Sequence, residues 1–171
     1  LLKNKKIIFT SHSEKKSEKA FVRKFYLFFL REFDSITCVG EKSFESMNKI
    51  FPELKDKIIK INNGIKTENF CYKEKDYVLK ENLGFSKNDI VAIYVSRLSP
   101  VKNHKFLIKL IKKINIENFK LLIIGEGEEK NNLINLTKEL NLQDKIRFEG
   151  LKKKKKLSDY YGVSDIVLFP S

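Results

Sequence analysis

The sequence predicts an α/β fold of the doubly wound kind, with parallel sheets covered by helices on both faces, and two observations carry that prediction. Apolar runs of four to eight residues recur along the chain, and the stretches between them place apolar residues at helical spacing. Strands that read as continuous apolar runs are buried on both faces, and parallel neighbours need a crossover long enough to hold a helix.

The elements follow in order. Residues 7–10 form the first apolar run, and Ala20, Phe21, Phe25, Phe28 and Phe29 then recur at helical spacing. A second run at 35–39 is followed by Phe44, Met47 and Phe51, and a third lies at 57–61. From Gly64 to Asn88 the chain turns polar and irregular, which places a domain boundary there and divides the protein into residues 1–64 and 65–171. Past it the alternation resumes, with runs at 91–95, 121–124, 146–148 and 166–169. Leu107, Leu110, Ile111 and Ile114 mark one intervening helix, and Leu133, Leu136 and Leu140 another.

Composition supports a packed protein. The chain has 171 residues, 42% of them hydrophobic, which suffices for one ordinary core or two small ones. Although 33% of residues are charged, 14 Phe and 6 Tyr supply bulky core material that disordered chains lack. No stretch approaches the ~20 apolar residues of a membrane-spanning helix. Met47 is the single methionine and position 1 is Leu, so a fragment of a longer protein is expected. Cys38 and Cys71 lie far apart without metal-ligand spacing, and with only His12 and His104 to assist them they form neither a zinc site nor a thiol centre. Cys38, inside an apolar run, reads as a small core residue.

The net charge of +13 would draw polyanions of any kind and does not choose among them. The five lysines at 152–156 read as a solvated loop and helix start, with docking to an anionic surface as the alternative.

Chemistry concentrates after the fourth run, in VSRLSPVKNH at 95–104. In doubly wound sheets ligands bind beyond the carboxyl ends of strands, where helix N-termini offer unpaired N–H groups to anions. Arg97 and Lys102 fall there, a planar fork and a mobile point charge that can together clamp a diphosphate; the alternative is two surface cations at a turn. The next run ends in IIGEGEEK, where Gly125 and Gly127 permit close backbone approach. Lys130 stands where a dinucleotide fingerprint needs its third glycine, which disfavours a dinucleotide site. The following run ends at Gly150, and the last reaches the end of the chain.

Five segments taken together, NNGI at 62–65, SRLSPVK at 96–102, LLIIGEGEEK at 121–130, IRFEGL at 146–151 and YYGVSDIVLFPS at 160–171, resemble in order and spacing the family-4 glycosyltransferases of GT-B architecture. The resemblance implies two Rossmann-like domains, both incomplete here. Residues 1–64 would be the C-terminal part of the acceptor-side domain and 65–171 the N-terminal part of the nucleotide-sugar domain. It implies a retaining transfer of sugar from a nucleotide-sugar donor to a glycan or lipid-linked acceptor in surface polysaccharide or glycolipid synthesis. No metal or cofactor takes part. The enzyme would be cytoplasmic, in peripheral contact with the inner face of an anionic membrane. By the same resemblance, Arg97 and Lys102 bind the diphosphate, and Ser96, Gly125 and Gly127 shape the donor loop. Gly150 and Leu151 meet the base through their backbone, Ser171 opens the loop over the donor sugar, and His12 matches a cleft histidine beside the transferred sugar.

The sequence departs from that pattern at Ser96, where the family carries Gly, and at Asn62, where it carries Pro. The family's two glutamates separated by seven residues are expected just beyond Ser171, and its opening glycine-rich loop upstream of Leu1, so this segment alone is expected to be inactive. Rival readings are a GT-B relative such as a sugar-nucleotide epimerase or phosphorylase, and a basic nucleic-acid module. The latter needs exposed aromatics among its cations, whereas most Phe and Tyr here fit buried periods, so no nucleic-acid partner is expected. The helix over 20–33 mixes aromatics with cations; core packing against acceptor-domain strands missing from this segment is the favoured account of it, and an anionic bilayer the alternative.

Overall fold

The structure, a computed structural model, describes residues 6–12, 20–70, 74–114 and 116–170. The chain divides into two compact units, Leu1–Ile65 and Lys66–Ser171, each with its own parallel sheet.

In the first unit, strand β1 (Ile8–Ser11) pairs with β2 (Ser35–Cys38), and β2 with β3 (Ile58–Lys60), all parallel. Helices α1 (Ala20–Arg31) and α2 (Glu41–Ile50) make the crossovers, and a 3-10 turn at Pro52–Lys57 leads into β3. Leu27 and Leu30 of α1 and Met47 of α2 pack with Ile36, Cys38 and Ile58 in one cluster, with Phe9 against it. These strand residues alternate with Ile8, Thr10, Thr37 and Ile59, so the described helices cover one face of this sheet. Cys38 is fully buried, as its apolar run implied. Burial on both faces does not extend to Ile8 or Ile59, which are exposed.

The α1 phenylalanines lie outside this unit's core. Phe21, Phe25 and Phe28 are 84%, 67% and 73% exposed, because this unit's core is met by the opposite stripe of Leu27 and Leu30. Helical spacing identified an apolar face correctly; it did not reveal that the helix has two.

In the second unit, α3 (Tyr77–Asn82) precedes β4 (Ile90–Val95), and α4 (His104–Lys113), β5 (Phe119–Ile124), α5 (Lys130–Glu139), β6 (Ile146–Phe148), α6 (Lys154–Gly162) and β7 (Ile166–Val167) follow. The sheet order is β6-β5-β4-β7, again wholly parallel. Alternate residues of the central strands enter separate cores. Ala92, Tyr94, Leu121 and Ile123 pack under Leu107, Ile108, Ile111 and Leu133 of α4 and α5. Val91, Ile93, Leu122 and Ile124 pack under Leu83 and Phe85, beyond α3, and under Tyr160 and Val163 at α6. Each such buried aliphatic side chain contributes about 1.5–3 kcal/mol, which explains why β4 and β5 read as unbroken apolar runs. Strand β7 is an edge, and its Ile166 and Val167 are exposed.

Helix α3 lies in the stretch read as irregular. Its start is capped by Asp76, whose carboxylate accepts the Leu79 N–H at 2.9 Å, and its end leads to Gly84 at φ 80°. Lys80, 1% exposed, closes the turn by donating to the carbonyls of Lys87 and Asp89.

Candidate functional site

Parallel strands deliver the loops after β4, β5 and β6 to one edge of the second unit, where backbone hydrogen bonds join them. Ser96 N–H donates to Ile124 at 3.0 Å, Leu98 N–H to Glu126 at 3.0 Å, and Glu129 N–H back to Leu98 at 3.0 Å. Gly125 N–H donates to Gly150 at 2.9 Å and Glu149 N–H to Ile123 at 3.0 Å. Three loops therefore act as one surface.

Glycine makes that surface possible. A Cβ on Gly125, at φ 150°, would stand 1.8 Å from the Ser96 carbonyl oxygen, and one on Gly127 would stand 2.3 Å from that of Leu98. The room these two glycines leave is occupied by the protein's own main chain. Gly150 adopts φ 65°, in the left-handed region, and a Cβ there would press on the mobile carboxylate of Glu126 at 2.9 Å.

Above this floor opens a cleft of about 320 Å³. Val95, Ile124, Leu151 and Leu157 give it an apolar lining, and Arg97 and Lys152 stand in its wall. Its size and its mixture of apolar lining with a few charged groups are those of a small-molecule site.

The charged groups are already partnered. Arg97, its side chain 73% exposed, meets the Glu128 carboxylate at 3.2 Å. Glu128's own backbone hydrogen bond, and then Arg97, hold its carboxyl below the usual range. Burial pushes Glu149 upward, but Lys152 at 2.9 Å and Arg147 at 3.0 Å outweigh it and hold the carboxylate ionised. Lys152 is held protonated by Tyr160 and Glu149, with its ammonium 5.1 Å from the Tyr160 ring centre.

Lys102 ends a 3-10 turn, Pro100–Lys102, and its carbonyl accepts the Tyr94 hydroxyl at 2.9 Å. Its ammonium stands 6.0 Å from the centre of the Phe169 ring. Ser96, Arg97, Gly125 and Leu151 thus meet around the cleft, Gly127 and Gly150 support it, and Lys102 closes the segment that Arg97 begins. His12 lies in the first unit, exposed, immediately after β1. Ser171 lies outside the described residues.

Sequence reasoning passed over two participants, Glu128 and His104. Glu128 belongs to a run of glutamates with no pattern to single it out. His104 was weighed only as a metal ligand, yet its Nε2 lies 3.0 Å from Ser96 Oγ. Among the described residues no three His, Cys, Asp or Glu side chains gather as a metal-binding group.

The chain is 27% identical over 145 residues to N-acetyl-alpha-D-glucosaminyl L-malate synthase of Bacillus anthracis, covering 84% of this chain and 37% of that protein. It is 37% identical over 89 residues to a Campylobacter jejuni N-acetylgalactosaminyltransferase acting on N-acetylgalactosamine-N,N'-diacetylbacillosaminyl-diphospho-undecaprenol, covering 52% of this chain and 22% of that one. Among solved structures, Anabaena HepE in complex with UDP superposes with a TM-score of 0.78 at 18% identity, over 98% of this chain and 47% of its own. The chain spans about a third of the length of the curated relatives it matches. The model for "Glycosyl transferases group 1" matches residues 77–171, more than half of the chain and the whole of the loop-built cleft, so this protein belongs to the group 1 glycosyltransferase family.

Proposed function

We propose that the second unit is the donor half-site of a retaining glycosyltransferase that uses a nucleotide-sugar without a metal ion, and that the first unit belongs to its acceptor side. The observation that carries this reading is an exposed arginine opening onto an apolar cleft at the carboxyl ends of β4 and β5.

In this reading the nucleoside enters the cleft against Val95, Ile124 and the backbone of Gly150 and Leu151, and the diphosphate turns toward Arg97 and Lys102. The bond from the anomeric carbon to the diphosphate oxygen breaks and leaves negative charge on that oxygen. The guanidinium fork and the ammonium stabilise this charge where it develops, the role a metal ion fills in other transferases. The acceptor hydroxyl bonds to the anomeric carbon on the face the diphosphate leaves, and its proton passes to the departing diphosphate. His12 and Ser171 are assigned to the surroundings of the transferred sugar.

HepE, similar in fold, is found with UDP, which supports a nucleoside diphosphate as the donor moiety. The Campylobacter relative's diphospho-undecaprenol substrate supports a lipid-linked acceptor, and with it cytoplasmic work in peripheral contact with an anionic membrane. No helix among the described residues is long and apolar enough to cross a membrane. Flotation of the intact protein with anionic vesicles, with and without Phe21, Phe25 and Phe28 changed to Ser, tests the membrane part.

Arg97→Ala and Lys102→Ala in the intact protein should each lower sugar transfer about 100-fold or more, the scale of losing one transition-state charge contact. Near-native rates in both variants would overturn the assignment. Retention is read from the anomeric configuration of the product; an inverted product would remove that part alone.

A further inference from the structure

Beneath the segment that carries Arg97 and Lys102 lies His104, 2% exposed. Its Nε2 is 3.0 Å from Ser96 Oγ, at the start of the segment. Its ring lies tilted against Tyr94, with centroids 4.8 Å apart, and the Tyr94 hydroxyl donates to the Lys102 carbonyl at 2.9 Å, at the segment's end. Two rings packed together in the core thus hold both ends of the stretch from Ser96 to Lys102.

We propose that His104 is a positioning residue for Arg97 and Lys102, clamping their segment through Ser96 while Tyr94 clamps it through Lys102. The clamp rests on the donor-site reading only for its purpose, because the contacts themselves do not depend on what the cations bind.

The chemistry of the ring supports a role beyond filling space. A phenyl ring would fill the same position without desolvating two nitrogens, and Nδ1 of His104 meets no partner among the described residues. Burying an imidazole is worthwhile only if the other nitrogen gains, and what it meets is Ser96. Burial pushes the ring's pKa down, Glu129 opposes this, and Lys102 adds to it, so the ring is neutral at neutral pH. Glu129 is itself occupied by Lys105 at 2.8 Å. A neutral ring has one donor and one acceptor, and a bare acceptor is less costly to leave unpaired than a buried N–H. The proton therefore belongs on Nε2, donating to Ser96 Oγ. That leaves the Ser96 hydroxyl to donate to the Arg97 carbonyl, 3.4 Å away. The chain of contacts reaches the arginine itself.

Amide hydrogen exchange in the intact protein tests the clamp with no ligand present. The Lys102 and Asn103 amides, which donate to Ser99 and Pro100 at 3.0 and 3.1 Å, report on the segment, and Ile93 and Ile123 report on the sheet. His104→Phe should speed exchange at Lys102 and Asn103 at least tenfold and leave Ile93 and Ile123 unchanged, while His104→Gln, whose amide can still reach Ser96, restores most of the protection. Ser96→Ala should match His104→Phe, and the double variant should be no faster than the worse single one. Unchanged segment exchange with an intact sheet, or effects that simply add, would overturn the proposal. If His104→Phe loses sheet protection as well, Ser96→Ala decides alone by the same criterion. UDP-glucose, whose diphosphate diester does not titrate near neutrality, is the probe for the consequence: binding should weaken at least tenfold in His104→Phe. A native protein that bound neither UDP-glucose nor GDP-mannose would count against the donor reading and leave the exchange result to judge the clamp.

Discussion

A methyl group is the smallest side chain that could be added at Gly125 or Gly127, and in each case it would land on a carbonyl of the neighbouring loop. Because a main-chain oxygen cannot move aside as a side chain can, Gly125→Ala and Gly127→Ala should each cost about 1–3 kcal/mol, read as a lower urea midpoint. Gly64→Ala, where no atom lies within 4 Å, is the matched control and should leave the midpoint in place. At Glu128 the outcome is the opposite. Its ion pair with Arg97 is exposed and screened by solvent, so Glu128→Ala should change affinity for the proposed donor by less than about fivefold. His104 adds a pH dependence. Its folded pKa lies below the ordinary 6.5, so as pH falls from about 6.5 the unfolded chain takes up a proton that the native ring refuses. Stability is full above that value and declines toward and through the lower folded pKa; His104→Phe should flatten this part of a stability-versus-pH curve.

At the level of elements, α3 shows how a short helix hides. Six residues give less than two turns of periodicity, too few for an apolar stripe, and its signals were the Asp76 cap and Gly84 instead. Asp76→Ala should cost about 1 kcal/mol, with faster exchange confined to the amides of α3. Asp165, entering β7, accepts the Val91 N–H at 2.8 Å and pairs with Lys75, thereby tying the approach to α3 to the edge of the sheet. Burial pushes its carboxyl up, but Lys75 and Val91 prevail and hold it below the ordinary 3.8. The stabilisation is therefore present above about pH 4 and lost as pH falls through the folded value. Asp165→Ala should remove about 1–3 kcal/mol at neutral pH, leaving less to lose in acid. Helix α1 was legible as a helix but not as two-faced, since Phe21 and Phe25 sit at the same spacing whether they face a core or open solvent.

For the molecule as a whole, legibility tracks burial. The strands at 91–95 and 121–124 were readable because both their faces are covered, so every position must be apolar. Ile8, Ile59 and the β7 pair looked the same in sequence and are exposed, because apolar residue type does not report what lies opposite. Arg97, in the cleft wall, and Lys102, at the end of the same segment, are singled out by their place between a strand and a helix. The partners His104 and Glu128 could not be, since they are brought to Ser96 and Arg97 only by the packing of α4 and the loops.

The loop floor beneath the cleft also bears on descent. A surface assembled from amides and carbonyls is inherited whatever side chains surround it, so ligand preference can drift along one lineage while the scaffold is passed on unaltered. Libraries varied at Glu126, Leu151 and Leu157 should therefore yield folded members far more often than libraries varied at Gly125 and Gly127, and new ligand preferences should arise among the former.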